Sequence, residues 1–201
     1  MVMKIGIVGA GNIGGTLGEK WFAAGHQIRF GVRNPGDSKY AALRNLGEVM
    51  EVGEAVAFGE VILLAVPGSA VPDFAAAHAT HLAGKTILDA TNNPRSPEMN
   101  NLAILAEKAP TARLARAFNT LGWENFATPE IDGVQIDLFF CANPSARTAT
   151  ESLIADVGLH PVYIGGLDKA AALDGMTRVW FALIFDQGYN RHTAFKLLEE
   201  K

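Results

Sequence analysis

Short apolar runs alternate along this chain with longer stretches in which apolar residues recur every three or four positions. Lys4-Ile5-Gly6-Ile7-Val8 reads as a strand and runs directly into a helical pattern that ends at Gly25. Apolar residues alternate in Gln27-Ile28-Arg29-Phe30-Gly31-Val32, which predicts a second strand, parallel to the first because a crossover helix separates them. A loop at Arg33 to Asp37 leads to a predicted helix near residues 38–46, a short strand near Val49 and a short helix from Glu54 to Phe58. The run Val61 to Val66 is apolar throughout, as in a strand covered on both faces. Further strands are expected at Thr86–Ala90, Ala112–Phe118, Asp137–Ala142 and Pro161–Ile164, with helices in most of the gaps. From Asp168 onward Leu173, Met176, Trp180 and Leu183 repeat at helical spacing, with Ala171, Val179 and Ile184 beside them. Strands alternating with helices predict a doubly wound, mostly parallel α/β domain over residues 1–201, with 168–201 a carboxyl-terminal helical segment that closes a cleft or forms a dimer contact.

The junction between the first strand and the first helix carries Gly9-Ala10-Gly11-Asn12-Ile13-Gly14. Gly-x-Gly-x-x-Gly alone is a weak signal, but between a strand and a helix it is the fingerprint of a Rossmann-like dinucleotide site. Gly9 permits the tight turn, Gly11 lets the backbone approach a pyrophosphate, and Gly14 lets the helix pack on the strand. The helix then offers its free N–H groups and positive dipole end to the phosphates.

Composition narrows the partners. The chain has 201 residues, 49% of them hydrophobic, enough for one sizeable core. Its net charge of -4, without a Lys/Arg run, gives no electrostatic footprint for nucleic acid or an anionic membrane. No run is long enough to span a bilayer, and a first strand beginning at residue 4 leaves no room for a signal peptide, so a cytoplasmic location without membrane insertion is expected. The lone cysteine, Cys141, sits in an apolar run and reads as a small buried hydrophobe. His78 and His81 have no third ligand nearby in sequence, so they read as solvated helix residues and no metal site is expected.

The end of the second strand decides between nucleotides. NAD-preferring folds place Asp or Glu there to accept from the ribose 2′-hydroxyl, whereas this chain has Gly31-Val32-Arg33. Arg33 can donate charge-assisted hydrogen bonds to a 2′-phosphate, worth roughly ten- to a hundredfold in favour of NADP(H). Asn34, Ser38 and Lys39 are weaker supporting contacts. No Tyr-x-x-x-Lys pair occurs, and without an evident acid or base, hydride transfer to a flavin-like ring is favoured over carbonyl chemistry because the acceptor's own heterocycle delocalises the charge.

Six segments, in order, carry a family resemblance: the glycine strand, Gly31-Val32-Arg33-Asn34-Pro35, Leu64-Ala65-Val66-Pro67, Leu88-Asp89-Ala90-Thr91-Asn92-Asn93-Pro94, Ala117-Phe118-Asn119-Thr120-Leu121, and Pro161 to Gly166. Together they resemble the NADP oxidoreductases that reduce an 8-hydroxy-5-deazaflavin coenzyme (coenzyme F-420), and the related cytosolic domain of membrane ferric reductases. The resemblance implies that Gly11, Asn12 and Ile13 meet the pyrophosphate, Arg33 the 2′-phosphate, and Ala65, Val66 and Pro67 the nicotinamide-side ribose and ring. Asn92, Ala117 and Phe118 join the cofactor contacts, while Asn119 and Leu121 flank the hydride path and act by positioning alone. The chain departs from the family at Gly68, where relatives often carry a larger residue, and at Asn119, where deazaflavin enzymes can carry His. Trp123 is expected to pack under its loop, with stacking on an acceptor ring as the alternative.

The expected activity is therefore an NADPH-dependent oxidoreductase passing hydride to a small-molecule deazaflavin or flavin-like acceptor. Two other readings stay open: an imine or carbonyl reductase similar to pyrroline-carboxylate reductase in its amino-terminal half, and a non-catalytic NADP(H)-binding redox sensor. A homodimer formed partly by the last helix is also expected.

Overall fold

The computed structural model describes residues 1–200. Strand β1 (Lys4–Val8), helix α1 (Asn12–Ala23) and β2 (Gln27–Gly31) form the first crossover unit, with β3 (Glu48–Met50) outside β2. The chain then returns through α2 (Val52–Phe58) to β4 (Val61–Leu64), on the other flank of β1. It continues outward through α3 (Val71–Leu82), β5 (Thr86–Asp89), α4 (Leu102–Lys108) and β6 (Arg113–Arg116). These strands are parallel in the order β3-β2-β1-β4-β5-β6. Between β1 and β4 the winding reverses, and that switch point opens a crevice at the strands' carboxyl ends.

After β6, α5 (Glu124–Ala127) and a hairpin of β7 (Glu130–Ile131) and β8 (Val134–Gln135) turn the chain round. Strand β9 (Asp137–Ala142) therefore lies antiparallel to β6, and α6 (Pro144–Val157) leads to β10 (His160–Tyr163), parallel to β9. This hairpin is not among the elements expected from the sequence, although Asp132-Gly133 is its turn signal: both residues have positive φ, 50° and 80°. Helix α7 (Ala170–Phe181) ends in one π turn at Ala182–Asp186, and residues 187–200 carry no helix or strand. The helical part of this segment thus stops at Asp186, and residues 187–200 form a strap. Buried Asp137 holds it, accepting from Lys196 Nζ at 2.6 Å and the Leu197 N–H at 2.7 Å. Among the described residues no helix is long and apolar enough to cross a membrane.

Side chains leave the central strands alternately, so the two faces of the sheet feed two cores. Ile5, Ile7, Val61 and Leu63 join Leu17, Trp21, Phe126 and Leu153 on one face. On the other, Val8, Ile62, Leu64 and Ile87 pack with Val56, Phe74, Leu105 and Leu173. Trp21 is fully buried, and its indole N–H donates to the Leu153 carbonyl at 2.8 Å, tying α1 to α6.

Two expectations need correction. Residues 38–46 form two 3-10 turns, Ser38–Tyr40 and Leu43–Asn45, rather than one helix. The Asp37 carboxylate accepts from the Lys39 N–H at 3.0 Å, and Arg44 donates to the Pro35 and Asp37 carbonyls. These local bonds compete with the helical ladder in a segment that buries no residue. The face that α7 buries is also offset from the apolar stripe: Ala170, Leu173, Asp174, Thr177 and Trp180 face inward, Met176 is half-buried and Val179 is 53% exposed. Asp174 and Thr177 are buried because each finds a hydrogen-bond partner at a strand end.

Cys141 is fully buried, and burial pushes its thiol pKa up to about 11. It should therefore resist a thiol-specific disulfide reagent at pH 8 in the native state and react once the chain is unfolded in guanidinium. Rapid native-state labelling would contradict this packing.

Candidate functional site

The switch-point crevice is a cleft of about 640 Å³ lined by Val8 to Gly11, Gly31 to Arg33 and Ala65 to Pro67, all at strand ends. Gly9 forms its floor with φ at 97°, donating its N–H to the Gly31 carbonyl at 3.0 Å, and a Cβ there would lie 2.5 Å from the Ala65 carbonyl oxygen. Gly14 packs the helix down so closely that a Cβ would lie 1.9 Å from the Gly9 oxygen. Gly11 differs: its backbone is ordinary extended chain, and a Cβ would meet nothing within 4 Å. The space above Gly11 is the approach to the α1 N-terminus. No side chain caps that helix and no acidic residue lies in its first turn, so the N–H groups following Gly11 remain open to an anion.

Arg33 is exposed at the cleft edge, with no ion pair or hydrogen bond to another side chain among the described residues. Lys39 is less available. Its ammonium lies 2.9 Å from Asp37 Oδ2, which raises the lysine pKa. The Lys39 N–H and then its ammonium lower the pKa of Asp37. Asn34 and Ser38 are exposed in the same loop, outside the cleft lining.

The far wall of the cleft was missed from the sequence. Ser69, Ala70, Asp73, Phe74, Ala77 and His78, at the start of α3 and just before it, line it together with Tyr40 and Val52. The signal was present: this helix begins just beyond Pro67, and positions 70, 73, 74, 77 and 78 share one face. The Phe74 and His78 rings lie 5.1 Å apart. His78 is therefore not the solvated residue expected; burial, and then the charge of His81, lowers its pKa and so favours the uncharged ring. His81 is exposed, as expected.

At the end of β6, Phe118 adopts φ of 62°, a conformation that costs a non-glycine residue on the order of 1 kcal/mol. The turn directs Phe118 between Trp21 and Phe126, at centroid distances of 5.7 and 5.5 Å. Asn119, 2% exposed, faces α7, where its Nδ2 donates to Thr177 Oγ1 at 3.0 Å. Its Oδ1 has no hydrogen-bond partner. Ala117 and Leu121 are buried beside it, and none of 117–121 lines the cleft. Asn92 donates through Nδ2 to the Asn119 carbonyl at 2.8 Å. Asn12 and Trp123 line a second opening of about 540 Å³, which shares Ala10, Gly11 and Tyr40 with the first. Trp123 is half-buried there and also packs against the core. No residue of α7 lines either opening.

Comparison with known proteins agrees with this geometry. Residues 4–93 match the family described as NADP oxidoreductase, coenzyme F420-dependent. Metalloreductase STEAP3 of Rattus norvegicus is 27% identical over 179 residues, an alignment covering 86% of this chain and 36% of that relative. The fold is similar to that of a crystal structure from Arthrobacter sp. FB24, provisionally described as an F420-dependent NADP-reductase, with a TM-score of 0.86 at 21% identity over 98% of this chain and 100% of that one. An imine reductase from Pseudomonas sp. shares the fold at a TM-score of 0.72 and 15% identity, over 92% of this chain and 63% of that one. The matched segment 4–93 spans β1 to the loop after β5 and so contains the whole lining of the switch-point cleft. By these matches the chain has a Rossmann-like fold, and its residues 4–93 are similar to the NADP oxidoreductase, coenzyme F420-dependent family.

Proposed function

We propose that this protein is a cytoplasmic NADPH-dependent reductase that passes hydride to a deazaflavin or flavin-like acceptor. The observation that carries the reading is the cleft itself: an uncapped helix N-terminus beside a glycine turn, with an unpaired arginine where a carboxylate would select NAD. The open space above Gly11 fits a pyrophosphate, with the N–H groups of Asn12 and Ile13 as donors. Arg33 would hold the 2′-phosphate, and Phe74 with His78 offers flat, apolar surface for the adenine. Ala65, Val66 and Pro67 would line the path toward the nicotinamide.

Bound NADPH supplies the hydride, and the chain's own groups would orient rings and exclude water. Asn119 and Thr120, at the end of β6, do not ionise near neutrality. Trp123, on the opening contiguous with the cleft, is suited to stack on an acceptor ring. The description of the family matched at residues 4–93 as coenzyme F420-dependent supports such an acceptor class. Exposed Val179 and Phe185 support a second copy docking on this end of the molecule.

Titration with NADPH and NADH tests the nucleotide. NADPH should bind at least about tenfold tighter, and Arg33→Ala should remove most of that preference. Gly11→Val should fold normally, since its Cβ meets nothing, yet lose nucleotide binding. Equal affinities, or unchanged binding in a folded Gly11→Val variant, would contradict the site. For the chemistry, an acceptor panel should show NADPH oxidation with deazaflavin or flavin, and with ferric chelates only when a flavin takes the hydride and passes its two electrons on singly, and Asn119→Ala should lower turnover about tenfold or more with little change in NADPH affinity. Oxidation only with imines or carbonyls would favour the second reading, and tight binding without turnover the redox sensor.

A further inference from the structure

Arg116, the last residue of β6, has a fully buried side chain, and every N–H of its guanidinium is used. Nε donates to Asp174 Oδ1 at 3.2 Å, and Nη2 to the same oxygen at 2.8 Å. Nη1 donates to Asp89 Oδ2 at 3.2 Å, to the Asp89 carbonyl at 3.3 Å and to the Thr91 carbonyl. The carboxylates are satisfied in turn. Asp89 Oδ1 accepts from the Thr91 N–H at 3.0 Å and its hydroxyl at 2.6 Å, and Asp174 Oδ2 accepts from Asn100 Nδ2 at 2.7 Å. A cluster that served only to fasten α7 to the sheet would need nothing more.

The remaining arm goes elsewhere. Arg116 Nη2 also donates to Asn92 Oδ1 at 2.8 Å. A guanidinium can only donate, so this bond fixes which way the Asn92 amide points and commits its Nδ2 to the Asn119 carbonyl, 2.8 Å away. The Asn92 carbonyl accepts from the Gly68 N–H at 3.3 Å. The loops after β4, β5 and β6 are thereby joined in one chain of hydrogen bonds, with its central amide oriented by Arg116. Of these loops, the one after β4 lines the crevice on the side of β1 away from Arg33, where Pro67 and Ser69 flank Gly68, and those after β5 and β6 back it from outside the lining.

We propose that Arg116 is a positioning residue for the nicotinamide end of the nucleotide site, acting through Asn92 on the loop at Asn119; the inference rests on the nucleotide reading above. A lysine would keep the charge between Asp89 and Asp174, but its single point of donation cannot also hold the Asn92 amide. The two aspartates are the counter-charges that allow a guanidinium to sit at this buried position.

The test separates the two ends of the ligand and needs no turnover. NADPH and adenosine 2′,5′-bisphosphate, the adenine-end fragment alone, are titrated into the full chain and its Arg116→Lys and Asn92→Ala variants, with the fluorescence anisotropy of the reduced nicotinamide read in parallel. Asn92→Ala leaves both aspartate pairs of Arg116 intact, so it keeps the test open if Arg116→Lys fails to fold. In each folded variant the bisphosphate constant should stay within about twofold, the NADPH constant should rise about tenfold and nicotinamide anisotropy should fall. Equal weakening of both ligands would mean a general structural role and overturn the proposal. Unchanged NADPH affinity and anisotropy in Asn92→Ala would overturn it as well. A wild-type chain that binds the bisphosphate but shows no nicotinamide signal would defeat this inference alone. One that binds neither ligand would defeat the nucleotide reading too.

Discussion

The contact between Gly14 and the carbonyl of Gly9 sets the geometry on which the rest of the site depends. With no side chain at Gly14, α1 descends until its backbone touches the turn that ends β1, closer than any Cβ would allow. That approach puts the uncapped helix N-terminus at the carboxyl edge of the sheet, beside the point where the winding reverses. A larger residue would lift the helix and carry the N–H groups away from the crevice. On the proposed reading, phosphate recognition by backbone groups would be a consequence of packing, with Arg33 adding selectivity at the end of β2.

The polar groups at the strand ends divide into two populations with different physics. Arg33 is exposed and unpaired, so it is free to exchange water for a ligand anion. Arg116 is buried and pairs with Asp89 and Asp174, so it is committed to the protein and serves as a rigid fork. On the proposed reading the same chemical group would serve recognition at one end of the crevice and preorganisation near the other. Helix α7 contributes to the second role. Its buried Asp174 and Thr177 bond Arg116 and Asn119 at the end of β6, while its exposed Val179 faces away.

Much of the sheet was legible in the chain because each central strand is a short apolar run bounded by turn residues, and the glycine fingerprint stood in the right context. Local competition was harder to read. The segment 38–46 has helix-compatible residues, yet the Asp37 cap and Arg44 bonds select 3-10 turns. Long-range pairing was not legible at all. Arg116 and Asp174 are 58 residues apart, and nothing local marks either as buried. Asp174 and Thr177 instead disguised the true inner face of α7, since an apolar stripe is a sound guide only where burial excludes hydrogen-bonded polar groups. The cleft wall on α3 was readable in principle, because helical spacing from Ala70 to His78 sets it on one face.

Hydrogen exchange with and without NADPH addresses the central claim most directly, because it reports where the nucleotide rests without presupposing an acceptor. If the crevice at the switch point is the site, saturating NADPH should slow exchange in the segments 9–15, 31–34 and 65–78, with little change at the β7–β8 hairpin on the opposite flank of the sheet. Protection absent from the glycine turn, or confined to segments outside the cleft, would contradict it.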